Sequence, residues 1–114
     1  MTLEVLSEII NAKRVSGSND AGVEIYEAFA SDLMSDVLTL DMHNPMLITG
    51  LSNLQTIRTA EMADINVIVL ARGKKASPEM IELAQELNIF ILETEFSVFK
   101  TSGILYQNAI KPLY

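Results

Sequence analysis

Small polar residues follow four apolar segments of this 114-residue sequence, and their types suit a negatively charged ligand group. These stretches are Ala30-Ser31-Asp32, Thr49-Gly50-Leu51-Ser52-Asn53, Ala71 to Ser77, and Leu92-Glu93-Thr94. Amides at helix N-termini bind phosphate and carboxylate groups, and glycine allows close backbone approach to a ligand. The densest basic cluster, Arg72, Lys74 and Lys75, lies in the third stretch. We therefore expect a site for a nucleotide or phosphorylated metabolite among Ser31, Asp32, Thr49, Gly50, Ser52, Asn53, Arg72, Gly73, Lys74 and Thr94.

The same residue types have a second interpretation, which stays open at this point. Serine, threonine and asparagine are common helix N-caps in the absence of any ligand. Each of the following residues could act only as a cap: Ser31, Ser52, Asn53, Ser77 and Thr94.

No catalytic or metal-binding pattern emerges from the acidic residues and the single histidine. Asp32 and Asp36 are one helical turn apart and could share a cation or serve acid–base chemistry. They are equally explained as a helix N-terminal residue and a solvated one. His43 has only Asp41 as an acidic neighbour, which is not a metal motif. Since no nucleophile elbow and no cysteine occur, we expect no enzyme activity, no metal and no cofactor.

Composition excludes several classes of function. The net charge is −7, from 15 acidic and 8 basic residues, which argues against general nucleic-acid binding. No apolar run approaches the roughly 20 residues that span a bilayer. The first ten residues contain Glu4 and Glu8 and no basic region, unlike a signal peptide. We expect a cytoplasmic protein without membrane contact. The 49% hydrophobic content fits a homodimer, or equally a core with two covered faces.

The stretch from Asp64 to Phe99 predicts the architecture. Two short apolar runs, Val67 to Leu70 and Ile89 to Leu92, are typical of buried strands. Between them, Ser77-Pro78-Glu79 predicts a helix start with Ser77 as N-cap. A strand-helix-strand unit of this length implies parallel strands joined by a right-handed crossover.

The remaining sequence adds elements on both sides of this unit. Periodicity predicts helices near residues 3–11, 33–41, 54–63 and 95–107, and strands near 13–15, 23–30 and 46–49. Ser31 and Thr94 are the expected caps of the second and last of these helices, and Gly103 predicts a kink or a close backbone approach.

Together these elements indicate one α/β domain over residues 1–114, with a largely parallel central sheet and helices on both faces. Its core is expected at about 3–106, followed by an apolar tail at 107–114 that packs against some other surface rather than extending freely. If the strands are parallel, the four polar stretches converge at one edge of the sheet. The expected homodimer contact comprises Tyr106, Leu113 and Tyr114.

Several of these segments resemble the DRTGG domain family, beginning with Ser31 to Leu38. Met46-Leu47-Ile48-Thr49-Gly50 is similar to the family's strand ending in threonine, and Ile65 to Arg72 to the strand before its Thr-Gly-Gly-like turn. In place of Thr-Gly-Gly this sequence has Ala71-Arg72-Gly73-Lys74. The similarity extends over about residues 3–106 and includes Ser52-Asn53, Ser77-Pro78-Glu79, Ile89 to Glu93, and the stretch from Phe96 to Tyr106.

The resemblance implies a stand-alone domain with a fold related to the N-terminal domain of HPr kinase and to substrate domains of some Mur ligases. Domains of this family accompany phosphotransacetylase or CBS modules, which implies a non-catalytic regulatory or ligand-sensing role. Kinase activity is not implied, because the sequence has no G-x-x-x-x-G-K-[ST] loop. The alternative is a protein-interaction subunit of a larger enzyme or signalling complex, bound to an enzyme or kinase without a small ligand.

Overall fold

Helices and strands alternate along residues 1–18, 22–40 and 45–114, which the computed structural model describes. The predictions for Asp41 and His43 lie outside these residues. The elements are α1 (Leu3–Ile9), β1 (Lys13–Ser16), β2 (Glu27–Ala30), α2 (Met34–Val37), β3 (Met46–Thr49), α3 (Leu54–Met62), β4 (Val67–Leu70), α4 (Pro78–Glu86), β5 (Phe90–Glu93), α5 (Val98–Gln107) and β6 (Lys111–Pro112).

The strands form one sheet in the order β1-β5-β4-β3-β2-β6. All neighbours pair in parallel except β1, which runs antiparallel to β5 at one edge. In register, Thr49 lies opposite Leu70, and Leu70 lies opposite Glu93. The predicted α/β fold with a largely parallel sheet is therefore confirmed.

Helices cover both faces of the sheet, which explains the continuous apolar runs. Every residue of β3, β4 and β5 is buried. On one face α1 and α5 pack through Leu6 and Leu105 against a core that includes Ile48 and Val69. On the other face, α2, α3 and α4 pack on a separate core that includes Ile68. Strands that are covered on both faces do not need alternating polar residues in their sequence.

Polar side chains define where most helices begin. Asn53 and Ser77 accept hydrogen bonds from the amides three residues later, as predicted. The last helix begins later than expected, because Ser97 rather than Thr94 is its cap. The Thr94 hydroxyl instead donates to the carbonyl of Ile10 at 2.7 Å. The hydroxyl proton of Thr94 is therefore used in a long-range bond, and its oxygen accepts from the Phe96 amide in the loop before the helix.

The region from 23 to 40 is less regular than its sequence suggests. Only the last four residues of the predicted strand 23–30 pair as β2, while Glu24 forms an isolated bridge with Thr2. The following helix is a single turn whose N-cap position is Leu33. Ser31 does not cap it, because its hydroxyl accepts from the Leu33 amide at 3.0 Å in a tight turn.

The C-terminal segment packs on the domain itself. Lys111 and Pro112 form the edge strand β6, where proline's missing amide is tolerated. Helix α5 continues through Gly103, and a Cβ atom there would meet no atom within 4 Å. The predicted close backbone approach at Gly103 is therefore wrong. Over the described ranges, no helix is long and apolar enough to cross a membrane.

Candidate functional site at the carboxyl edge of the sheet

The loops that follow β2, β3, β4 and β5 meet at one edge of the sheet, called here the carboxyl edge (residues 30–32, 49–53, 71–77 and 92–94). Backbone hydrogen bonds join neighbouring segments at this edge, just beyond the ends of the strands. The Ser31 amide donates to Ile48, Ala71 to Thr49, and Thr94 to Leu70, at 2.9–3.0 Å. The predicted convergence follows from the parallel arrangement of these strands.

A carboxylate joins the loops after β2 and β3 at this edge. One oxygen of Asp32, Oδ1, accepts from the Thr49 hydroxyl at 2.9 Å and from the Gly50 amide at 2.7 Å. The Gly50 hydrogen bond lowers the pKa of Asp32 below its ordinary value, with help from Thr49 and Arg72, while desolvation acts in the opposite direction. The carboxyl edge thus stabilises a negative charge on an exposed side chain.

Arg72 reaches this site from a turn of unusual backbone geometry. Arg72 and Gly73 both have positive φ, of 63° and 72°. Their amides donate to the carbonyls of Phe96 and Thr94 at 2.8 and 3.0 Å, which fixes the turn against the β5–α5 loop. A non-glycine residue in this conformation costs about 1–2 kcal/mol. The long-range hydrogen bonds offset that cost.

Gly50 supplies the space that the arginine side chain occupies. Arg72 Nη2 donates to the Gly50 carbonyl at 3.3 Å. A Cβ atom at position 50 would lie 2.5 Å from Arg72 Nε. The glycine predicted for close ligand approach therefore already has a guanidinium against it.

The rest of the basic cluster is largely balanced by acidic residues that sequence analysis did not select. Lys75 Nζ lies 3.8 Å from Glu93 and 3.4 Å from Glu95. The second oxygen of the buried Glu93 accepts from the Ala76 amide at 2.7 Å. Lys74 is exposed and has no ion-pair partner within the described part of the chain. The two glutamates of Glu93-Thr94-Glu95, in the loop that follows β5, were the sequence feature from which these ion pairs could have been predicted.

Other predicted site residues hold the loops together. Ser52 donates its hydroxyl proton to the Lys75 carbonyl, and Asn53 caps α3 through the Thr56 amide. The Thr94 hydroxyl also accepts from the Phe96 amide at 3.2 Å. These side chains therefore have structural partners in the unliganded domain, in line with the capping interpretation for Asn53.

Acidic residues do not assemble into a larger cluster here. Asp36 is exposed on α2, whereas the hydrogen-bond partners of Asp32 are Thr49 and Gly50. Across residues 1–18, 22–40 and 45–114, no group of three or more histidine, cysteine or acidic residues could hold a metal ion.

The three predicted interface residues lie away from the basic loop, at the β2–β6 side of the sheet. Tyr106, Leu113 and Tyr114 surround a cavity of about 230 Å³ between α5 and the strands. Tyr106 and Tyr114 are 70% and 90% exposed, and the Tyr114 ring lies 6.3 Å from that of Phe29. The structure thus brings these residues together on one surface.

Comparison with known proteins gives a fold but no close relative. No family model matches the sequence, and no curated protein matches it. A similar solved structure is that of the CBS and DRTGG domains of the regulatory region of Clostridium perfringens pyrophosphatase, complexed with the activator diadenosine tetraphosphate. The TM-score is 0.78 at 18% identity, over 93% of this chain and 46% of that one. The chain therefore has a DRTGG-like fold, as its sequence motifs predicted, and spans about half of the protein it matches.

Proposed function

We propose that this domain is a non-catalytic regulatory module that binds a nucleotide or another anionic metabolite at the carboxyl edge. The observation that carries the proposal is the Asp32 carboxylate, which is held by the Thr49 hydroxyl and the Gly50 amide within the field of Arg72. The structurally similar regulatory region, which was crystallised with a nucleotide activator, supports this class of function.

The chemistry of the site favours a phosphate group. An amide, a hydroxyl and a guanidinium are the donors that phosphate oxygens require, and here they already stabilise a carboxylate. A ligand phosphate would compete with Asp32 for Arg72 and gain Lys74 as a second cation. The proposed ligand-binding set is the one expected from the sequence: Ser31, Asp32, Thr49, Gly50, Ser52, Asn53, Arg72, Gly73, Lys74 and Thr94.

Thermal unfolding with ATP, ADP, diadenosine tetraphosphate and pyrophosphate, each at millimolar concentration, tests this proposal. A ligand that binds only the folded state raises Tm in proportion to ln(1 + [L]/Kd). We expect a Tm increase with at least one phosphorylated ligand and none with adenosine. The double variant Arg72→Ala/Lys74→Ala should lose at least 80% of that increase, because both proposed phosphate contacts are removed.

Arg58→Ala provides a matched control for charge. Arg58 is an exposed cation on α3, where its Nη1 lies 3.9 Å from Glu61 Oε1. Its removal makes the net charge of −7 one unit more negative without touching the proposed site, so the ligand-induced Tm increase should persist. The single variant Lys74→Ala is compared with it. Equal losses in Arg58→Ala and Lys74→Ala would indicate non-specific attraction, and no Tm increase with any ligand would reject the proposal.

A second candidate is a protein-interaction role through the Tyr106 side of the molecule, with homodimer formation as its simplest case. The supporting observation is the exposure of Tyr106 on α5 and of Tyr114 beside the half-buried Leu113, just after the edge strand β6. Exposed aromatic side chains that cluster in this way are typical of protein interfaces. A larger enzyme or a kinase is the alternative partner for this surface.

Light scattering after size exclusion tests the homodimer. We expect a mass of two chains at 100 μM protein, and a shift toward one chain in Tyr106→Ala/Tyr114→Ala because the main apolar contacts are removed. Phe99→Ala is the matched control, since Phe99 is 88% exposed on α5 but does not line the cavity. A single-chain mass for the unmodified protein at this concentration would contradict the homodimer.

A further inference from the structure

The cavity between α5 and the β2–β6 edge, called here the α5 cavity, exists because two small side chains occupy the strand beneath the helix. Ala28 and Ala30 alternate with Phe29 along β2 and therefore project to the same face. That face is the one covered by α5, and Ala28 packs against its core together with Leu105. Alanines at both positions leave about 230 Å³ unfilled.

One polar atom in this apolar lining lacks a partner. The Ser102 hydroxyl oxygen is buried, lines the cavity, and forms no hydrogen bond with any described residue. Buried hydroxyl groups nearly always have a partner, because an unpaired one keeps its full desolvation cost. The Ser102 hydroxyl is therefore available to pair with a polar atom of a molecule in the cavity.

The remaining lining residues define the chemistry of that molecule. Tyr106 and Tyr114 are the exposed aromatic residues of the lining, whereas the Phe29 side chain packs on the core of the opposite face. Lys111 has the only charged side chain among the lining residues that the structure describes, and it is exposed. A cavity of about 150 Å³ accommodates benzene, so this volume suits two fused rings.

We propose that the α5 cavity binds a planar bicyclic heteroaromatic molecule that carries a carboxylate. The ring system packs against Leu105 and Tyr106, a ring heteroatom pairs with the Ser102 hydroxyl, and the carboxylate faces Lys111. This site is separate from the phosphate-binding loops proposed above, because none of Asp32, Gly50 and Arg72 lines the cavity.

The probe for the test is indole-3-acetate, titrated to millimolar concentration into ¹⁵N-labelled full-length protein. We expect saturable amide shifts confined to residues around Ser102 and the segment 110–114. Indole, which lacks the carboxylate, should bind at least threefold more weakly to the unmodified protein. That difference should disappear in Lys111→Ala.

Two cavity variants and one control test whether the probe binds in the α5 cavity. Ser102→Ala should weaken binding at least threefold through the lost hydrogen bond, and Ala28→Leu should abolish it by filling the cavity. Thr101→Val is the control, because the Thr101 hydroxyl is also buried and unpaired in the described structure but does not line the cavity. Its affinity for the probe should be unchanged. A cooperative thermal transition in each variant would show that it is folded.

Three results would overturn the proposal. These are the absence of saturable shifts, unchanged affinity in Ala28→Leu, and equal losses in the Ser102 and Thr101 variants. A mass of two chains without saturable shifts would assign this surface to a second copy of the chain instead. Failure of nucleotides to bind at the carboxyl edge would not affect the result, since the probe contains no phosphate.

Discussion

The Asp32 carboxylate, which belongs to the loop after β2, binds the loop after β3 and so joins two loops of the carboxyl edge. Its carboxylate binds the backbone of the β3–α3 loop through Gly50, and the same loop accepts a hydrogen bond from Arg72 through the Gly50 carbonyl. The Gly50 amide therefore donates to Asp32, and the Gly50 carbonyl accepts from Arg72. A side chain at position 50 would collide with the Arg72 guanidinium at this site.

The lowered pKa of Asp32 predicts a dependence of stability on pH. The carboxylate contributes stability above the ordinary pKa of 3.8, and that contribution is lost as the pH falls through the lower folded-state value. In urea unfolding between pH 5 and pH 3, the midpoint of the unmodified protein should therefore fall more steeply than that of Asp32→Asn. Asp36→Asn, a matched change at an exposed aspartate, should follow the unmodified protein. Parallel curves for Asp32→Asn and the unmodified protein would contradict this assignment.

Four helices end with the same backbone conformation. The residue after each C-cap has positive φ, at Asn11, Asp64, Asn88 and Ala109. After α5, the Ile110 amide donates to Leu105 and the Ala109 amide to Tyr106, which is the Schellman arrangement. The next residue is buried at each of three ends: Ile65, Ile89 and Ile110. Glycine is absent from all four positions, so only asparagine offered a local signal in the sequence.

Ala109 is the least suited of these residues to its conformation, because it has a Cβ atom and no polar group to compensate. Ala109→Gly should raise the free energy of unfolding by about 1 kcal/mol, since φ is 70° there. Asn88→Gly should give a smaller increase, because asparagine tolerates this region. Urea unfolding measures both. An equal or larger gain at Asn88 would show that the strain at Ala109 is relieved elsewhere.

At the scale of the whole molecule, the net charge of −7 opposes the compact state. Helix α4 concentrates this effect, with Glu79, Glu82 and Glu86 spaced three and four residues apart. Like charges at these spacings repel each other on a helix surface. The ion pairs of Lys75 with Glu93 and Glu95 at the carboxyl edge are attractive contacts that oppose this repulsion.

Screening by salt should therefore stabilise the domain. We expect Tm to be higher in 300 mM than in 10 mM sodium chloride, and Glu82→Gln to raise Tm mainly at low salt. Glu61→Gln is the matched control, because Glu61 lies near Arg58 and loses an attraction instead. Thermal scans at both salt concentrations measure these effects. A Tm that falls with salt would mean that attractive pairs dominate the electrostatics.

The sequence by itself determined the centre of the fold, from Val67 to Leu70, Ser77 to Glu79, and the strand that ends near Leu92. Their signals are local: apolar runs buried on both faces, and a serine and a proline in adjacent cap positions. Convergence of the polar loops followed once the strands were taken as parallel. The DRTGG-like fold was recognisable from short motifs in order, although the identity to the similar structure is only 18%.

The tertiary structure alone decided which polar groups meet. Thr94 bonds to Ile10 across 84 residues, Arg72 occupies the space above Gly50, and Ala28 opens a cavity under α5. None of these pairings leaves a local pattern, because each depends on the order of strands in the sheet and on the volume of side chains brought from distant segments. Local periodicity reports which face of an element is buried, whereas the partner on that face is set by the packing of the whole chain.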